Sequence, residues 1–226
     1  MLAPGSLAAR YWKRNIKMDS GFRRDEGLGF DLKRERPGPP GKLRIVAGHL
    51  RGSKIVVPDR PGLRPTPDRV RETLFNWLAP IIEGARCLDL FAGTGALGIE
   101  AISRGAVFCT FVESDRALAR AIEENLARLK VENARVVAID AAAMLGGTPQ
   151  PFDLVFLDPP FGGELWNETA RRLESGGWLA PGAWIYVESP TDAEVSLPPS
   201  WQPHREGHAG AVRFALYRRA AADPLS

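Results

Sequence analysis

Residues 86–98 read Arg86-Cys-Leu-Asp-Leu-Phe-Ala-Gly-Thr-Gly-Ala-Leu-Gly98. An apolar run carrying one acid gives way to glycines spaced Gly93-x-Gly95-x-x-Gly98, the spacing with which a buried strand turns tightly into a helix close to a ligand. Glu113 follows about 20 residues on, where a dinucleotide fold places an acid on a ribose. Outward from this stretch, strand and helix patterns alternate. Arg86 to Phe91 reads as a strand, Ala96 to Arg104 as a helix, Val107 to Glu113 as a strand and Arg116 to Lys130 as a helix. Arg135 to Ile139, Leu154 to Leu157 and Trp184 to Val187 read as further strands. The alternation predicts an α/β fold, a Rossmann-like and mostly parallel sheet with helices on both faces. At the C-terminal end, Trp201 to Glu206 and Val212 to Tyr217 flank Gly207-His-Ala-Gly210, which predicts an antiparallel hairpin closing the sheet edge.

Upstream, Leu43 to Ala47 and Lys54 to Val57 flank Gly48-His-Leu-Arg-Gly52 and predict a small β-hairpin. Thr66 as N-cap, with Pro67 in the first turn, opens a helix running through Trp77. Residues 1–41 lack apolar periodicity and read as a disordered basic extension, with Met18 as a second candidate start. The expected division is an extension over 1–41, a hairpin module over 42–65 and an α/β domain over 66–226.

The 226 residues are long enough to bury about 70% of their unfolded surface around one core. No stretch approaches the roughly 18 consecutive apolar residues of a membrane helix, and no secretion signal is visible, so a cytoplasmic chain away from the membrane is expected. Cys87 and Cys109 sit in apolar segments and read as buried reduced thiols. The net charge of +3 conceals an asymmetry: residues 1–41 carry +4, residues 42–80 carry +5 and residues 81–226 carry −6. The basic part suits a polyanion, while the acidic remainder suits a cation or plain solvation.

Asp89, Glu113, Asp140 and Asp158 fall at or near the ends of four successive expected strands, where an open α/β sheet binds its ligand. Such a ring repels the pyrophosphate of a nicotinamide cofactor. It welcomes S-adenosylmethionine, which brings a sulfonium, an ammonium and two ribose hydroxyls. Asp89, Phe91, Gly93, Gly95, Glu113 and Asp140 are therefore the candidate cofactor residues. Gly93 and Gly95 pass the backbone near the methionine part, Asp89 lies nearest the cationic groups, Glu113 accepts from the ribose and Asp140 from the adenine amine. The plainer alternatives are that Gly98 permits helix packing, Glu113 caps a helix and Asp140 is a loop carboxylate.

Asp158-Pro159-Pro160-Phe161 ends the apolar run Leu154 to Leu157. Two prolines stiffen the backbone and remove amide donors, leaving acceptors for an exocyclic amine. Hydrogen bonds from that amine to Asp158 and the Pro159 carbonyl would turn its lone pair out of the ring and towards a methyl donor. Phe161 offers a face for a base to stack on. All four are candidate catalytic residues. His49, His204 and His208 lack metal-ligand spacing and read as surface or capping residues, and the chemistry calls for no metal.

The chain resembles class I S-adenosylmethionine methyltransferases that act on amines, whose signature is Asn or Asp, Pro, Pro, aromatic. It is more closely similar to the bacterial small-subunit rRNA guanine-N2 methyltransferases of the RsmD type. The matching segments are Arg44 to Gly48 with Arg51-Gly52, Gly62 to Thr66, Asp68 to Leu78, Leu88 to Gly98, Asp158 to Phe161, Gly177 to Leu179 and Ile185-Tyr-Val-Glu188. The resemblance implies methyl transfer from S-adenosylmethionine to the N2 amine of a guanine in 16S rRNA, with the naked RNA or the assembling 30S particle as partner and the enzyme a monomer. It makes residues 42–65 an RNA-binding module and residues 66–226 the methyltransferase domain. It also implies that residues 64–72 fold over the methionine end, so Thr66, Arg69 or Arg71 reaches the cofactor carboxylate or RNA phosphates. The alternatives left open are an adenine-N6 methyltransferase on RNA or DNA, a non-catalytic RNA-binding module with the same fold, and a dehydrogenase.

Overall fold

The structure is a computed structural model that describes residues 41–60, 63, 66–160 and 165–220. Residues 1–40 of the expected extension, together with Gly62, Arg64 and Phe161, lie outside the described residues.

The described chain begins with a hairpin of β1 (Gly41–Arg44) and β2 (Lys54–Val57), followed by helix α1 (Asp68–Leu78). Five strands then alternate with helices: β3 (Arg86–Asp89), α2 (Ala96–Ser103), β4 (Phe108–Val112), α3 (Arg116–Arg128), β5 (Ala134–Val137), α4 (Ala141–Leu145), β6 (Phe152–Leu157), α5 (Leu165–Ser175) and β7 (Leu179–Pro190). β8 (Trp201–Ala209) and β9 (Val212–Arg219) complete the order. The large sheet runs β5-β4-β3-β6-β7-β9-β8, parallel through its first five members and antiparallel at β9 and β8. The parallel strands alternate residues between two apolar layers. Cys87, Phe111, Leu154, Phe156 and Tyr186 pack under α1, α2 and α3. Leu88, Val112, Val155, Leu157 and Ile185 pack under α4 and α5. Cys87 and Cys109 are register partners, both buried free thiols.

Three details depart from the expectations. α1 starts one residue later than expected, because Pro67 occupies the N-cap and its carbonyl takes the amides of Val70 and Arg71, while Thr66 is buried and caps nothing. The C-terminal turn shrinks to Gly210 and Ala211, and Gly207 lies inside β8. A Cβ at Gly207 would stand 2.4 Å from the Phe214 ring, so close packing and not a turn asks for glycine there. At Gly98 a Cβ would meet Phe111 at 2.2 Å, so close packing asks for glycine there too, in keeping with the plainer alternative for that residue. α4 and α5 fall in stretches for which no element was expected.

The hairpin shares the first apolar layer through Leu43, Ile45, Ile55 and Val57. What seats it is polar. Glu100 of α2 is fully buried, and its two carboxylate oxygens accept the amides of Val46 at 2.8 Å and Ala47 at 3.0 Å. Arg104 Nε donates to Glu100 at 2.8 Å, and Arg71 of α1, also fully buried, lies 3.6 Å away and donates to the Arg44 carbonyl. At the far end of α2, His49 Nδ1 and the His49 amide both donate to the Ser103 carbonyl, so that histidine acts as a helix C-cap.

Removing one partner of a buried ion cluster leaves the others desolvated without compensation. Glu100→Ala is therefore expected to lower unfolding free energy by about 3–5 kcal/mol, measured by chemical denaturation. The Val46 and Ala47 amides should at the same time lose their protection in hydrogen exchange.

Candidate active site

From β3 the chain lays down β4 and β5 to one side, then returns to place β6 on the other side of β3. The sheet order therefore reverses between β3 and β6, and ligands bind outside the carboxyl ends of the strands at such a switch point. Asp89 is the last residue of β3 and Asp158 the first after β6, so the fold brings both to that crevice. Glu113 follows β4 directly on the next strand over.

Asp89 is 3% exposed, and its Oδ2 accepts the Gly98 amide of α2 at 3.0 Å. Burial pushes its carboxyl up to about 7, the Gly98 amide pulls it back, and the neighbouring Glu113 raises it further. The carboxylate sits on the amide end of α2, the place where a dinucleotide fold seats its pyrophosphate. Gly93 and Gly95 both have positive φ, at 52° and 75°, and form the turn between β3 and α2. Glu113 holds that turn: Oε2 accepts the Gly93 amide at 2.8 Å and Oε1 the Asp115 amide at 2.8 Å. The helix cap after β4 is instead Asp115, which takes the amides of Ala117 and Leu118. Asp140 does cap a helix, α4, through the Ala143 amide at 2.7 Å, and it is exposed. Asp89 feels the charge of Glu113 and acts on Asp158 at the end of the neighbouring β6. Asp140 stands apart from that trio.

Asp158 is partly exposed as a residue, but its carboxyl is desolvated. Burial holds it well above the usual carboxylate range, with further contributions from Glu188 on β7 and from Asp89. Glu188 is 5% exposed, bonded to Asp158, and accepts the Tyr186 hydroxyl at 2.7 Å. Burial raises it too, while those two hydrogen bonds act in the opposite direction. Burial first, and then the second carboxyl that the strand register sets beside it, push Asp158 towards its neutral form, where the motif alone suggests an ionised one. The sequence alone assigns no role to Glu188 or Tyr186. The available signal is an acid and a hydroxyl in and beside the otherwise apolar run from Ile185 to Val187.

The remaining candidates separate. Phe91 is half-buried just past β3, Pro159 is buried and Pro160 exposed, each adjoining the crevice in sequence. Arg69 is exposed at the start of α1. Arg71 reaches neither cofactor nor phosphate, since its guanidinium is fully buried between Glu100, Asp68 and the Arg44 carbonyl. A cleft of about 610 Å³ separates the hairpin from the start of α1, with Lys42, Arg44, Arg60, Thr66 and Asp68 among its lining. His204 meets Trp184 edge-on and His208 pairs with Glu206, and both are exposed.

A family model described as "Conserved hypothetical protein 95" matches residues 43–218. The chain is 51% identical over 191 residues to Ribosomal RNA small subunit methyltransferase D of Escherichia coli (strain K12), spanning 84% of this chain and 96% of that protein. The Haemophilus influenzae protein of the same name is 43% identical over 191 residues, spanning 82% and 98%. The solved structure of the Escherichia coli protein yhhF superposes with a TM-score of 0.74 at 52% identity, covering 80% of this chain and 99% of that one.

The raised Asp89 carboxyl makes a testable link between pH and cation binding. Below pH about 7 the group is mostly neutral, and a cationic ligand that favours its ionised form must first expel the proton. The affinity of S-adenosylmethionine should thus fall as pH drops from about 8 to 6, approaching tenfold per unit below about 7. Calorimetry in two buffers of different ionisation enthalpy should register proton release on binding near neutrality. In Asp89→Asn the pH dependence should vanish and the affinity should be low throughout.

Proposed function

Because the chain belongs to the Conserved hypothetical protein 95 family, we propose that it is an S-adenosylmethionine-dependent methyltransferase that methylates the exocyclic N2 amine of a guanine in small-subunit rRNA. The observation that carries the reading is the gathering of Asp89, Glu113 and Asp158 at the switch point of a parallel sheet, with Asp89 on the amide end of α2. A group bearing a sulfonium and an ammonium fits that acidic lining, whereas a pyrophosphate in the same place would meet a carboxylate. This is what counts against the dehydrogenase alternative.

The turn at Gly93 and Gly95 and the Asp89 carboxylate would hold the methionine end. Glu113 accepts the Gly93 amide on Oε2 and the Asp115 amide and Ser114 hydroxyl on Oε1 and keeps further acceptor capacity, on Oε2 above all, for ribose hydroxyls, since a carboxylate offers about four sites. Asp140 retains acceptor capacity for the adenine amine beyond its bond to Ala143. When bound, the cofactor supplies an electrophilic methyl carbon.

On the substrate side, Asp158 and the Pro159 carbonyl offer acceptors to an amine. A proton shared in the hydrogen bond between Asp158 and Glu188 would leave Asp158 with acceptor positions for substrate. The Watson-Crick edge of guanine presents the N1 donor beside the N2 amine, while adenine presents an acceptor at N1, so an acceptor-only side chain suits guanine better. The base has to be unpaired or extruded to bring that edge into the crevice. Residues 42–80, with a balance of +5 and Lys42, Arg44 and Arg60 around the hairpin cleft, supply the cations for the flanking phosphates. Naked rRNA or the assembling 30S particle is the substrate, met in the cytoplasm by a monomeric enzyme.

Incubating the protein with labelled cofactor and small-subunit particles lacking the modification, then digesting the RNA to nucleosides, should yield N2-methylguanosine. N6-methyladenosine as sole product would overturn the base assignment and leave the cofactor standing. Asp158→Ala should lower kcat by about 10²-fold or more, with cofactor affinity changed only a few fold, because its contact is with the reacting amine.

A further inference from the structure

Glu188 is a buried acid outside the set of residues that meet cofactor and amine. The register pair Leu157 and Val187 sets the next residues of the parallel strands, Asp158 and Glu188, side by side. Glu188 is held from three directions. Its carboxyl bonds Asp158 and accepts the Tyr186 hydroxyl at 2.7 Å, and its backbone carbonyl accepts Trp166 Nε1 of α5 at 2.6 Å. Asp89 of β3 and Tyr186 of β7 are the other titratable groups acting with Asp158, and among the described residues no lysine or arginine acts on either carboxyl. Two carboxyls in contact without a countercharge share one proton and carry one negative charge between them. Tyr186 donates to Glu188, which stabilises the charge on Glu188 and leaves the proton on Asp158.

We propose that Glu188 is a positioning residue for methyl transfer, taking the proton that Asp158 gives up as the substrate amine delivers its own to Asp158. The inference rests on the proposed reading of this crevice as an amine methyltransferase site. In the step, the lone pair of the amine nitrogen forms the new N–C bond while the S–C bond breaks and leaves its electron pair on sulfur. One N–H proton passes to the free oxygen of Asp158, and the proton already on Asp158 passes to Glu188, whose negative charge it cancels. The pair finishes neutral with two protons and returns one to water after product leaves. Tyr186 sets the readiness of Glu188 to accept, because its hydroxyl bond favours the ionised carboxylate.

Glu188→Gln keeps the shape and removes the proton acceptor. Burial still holds the proton on Asp158 in this variant, so that proton has to leave into solvent before the amine can be served. Its kcat should be about 10²-fold below wild type near pH 6, within the usual range for proton transfer. The deficit should narrow as pH rises towards about 9, with substrate KM and cofactor affinity near wild type. Tyr186→Phe should move the acid limb of the kcat profile to higher pH, since Glu188 loses a donor to its charged form. A readout independent of turnover is carbon-13 NMR of the side-chain carboxyls. Asp158 and Glu188 should titrate together in two steps in wild type, and Asp158 in a single step in Glu188→Gln. A deficit constant across pH, with independent one-step titrations of the two carboxyls in wild type, would overturn the inference while leaving the methyltransferase reading intact. Wild-type protein that transfers no methyl group to rRNA would overturn both.

Discussion

Glu100 has no exposed surface, and a carboxylate in that position is tolerable only when its oxygens are fully occupied. The amides of Val46 and Ala47 and the guanidinium groups of Arg104 and Arg71 occupy them. This one side chain therefore ties the hairpin, α1 and α2 into a single body. α2 is the helix that opens at Gly95, so the cluster also fixes where the glycine turn and the Gly98 amide stand relative to Asp89. From Arg104 a row of rings continues the contact: its guanidinium lies over Phe75, Phe75 packs on Phe156, and Phe156 meets Tyr186. The cluster that seats the hairpin thus reaches, through packed side chains, the strand that carries Glu188. A hydrophobic cluster at the position of Glu100 could hold the helices together, but it could not capture two backbone amides of a loop.

The strands and the glycine turn were legible because their signals are local. Apolar runs bounded by glycine and charge give β3, β4 and β6 to within two residues at either end, and the reversal of strand order then places Asp89 and Asp158 at one crevice. Arg71 and Glu100 were not legible. A charged residue on an amphipathic helix reads as solvent-facing, and only tertiary packing reveals that these two face each other. The N-cap at Pro67 and the strand position of Gly207 were misjudged for a related reason: proline and glycine mark turns in most contexts, while here a free carbonyl and the Phe214 ring decide their places. The pairing of Asp158 with Glu188 depends on the parallel register of β6 and β7, and no periodicity within one segment carries that information.

The acidic ring itself is less uniform than its spacing suggests. Asp140 is an exposed helix cap, Glu113 staples the glycine turn, and Asp89 and Asp158 are desolvated acids that lean towards their neutral forms. Of the four, Glu113 therefore shapes the crevice turn, and Asp89 and Asp158 are its raised carboxyls. That division is useful in a site meant for a cation. Fully ionised carboxylates packed this closely would repel one another and strain the fold in the absence of ligand. A partly neutral Asp89 relieves that repulsion in the free protein, and a bound cation then finds an acid able to ionise in response.

The same economy extends to the proposed reaction. Before transfer, one positive charge stands on sulfur and one negative charge on the Asp158–Glu188 pair. After transfer, sulfur is neutral, the amine has lost a proton and the pair has gained one, so both charges disappear together. A desolvated site changes least in electrostatic energy when opposite charges vanish in the same step, because no isolated charge has to be created or stranded in low dielectric. A lone Asp158 could accept the amine proton only if it were ionised beforehand, which its burial opposes. Placing Glu188 beside it, with the Tyr186 hydroxyl favouring the ionised form of that second carboxyl, would let a carboxyl pushed towards its neutral form still act as an acceptor. The raised Asp158 carboxyl then follows from requiring a proton acceptor in a crevice dry enough for a nucleobase amine to be aligned with a methyl donor.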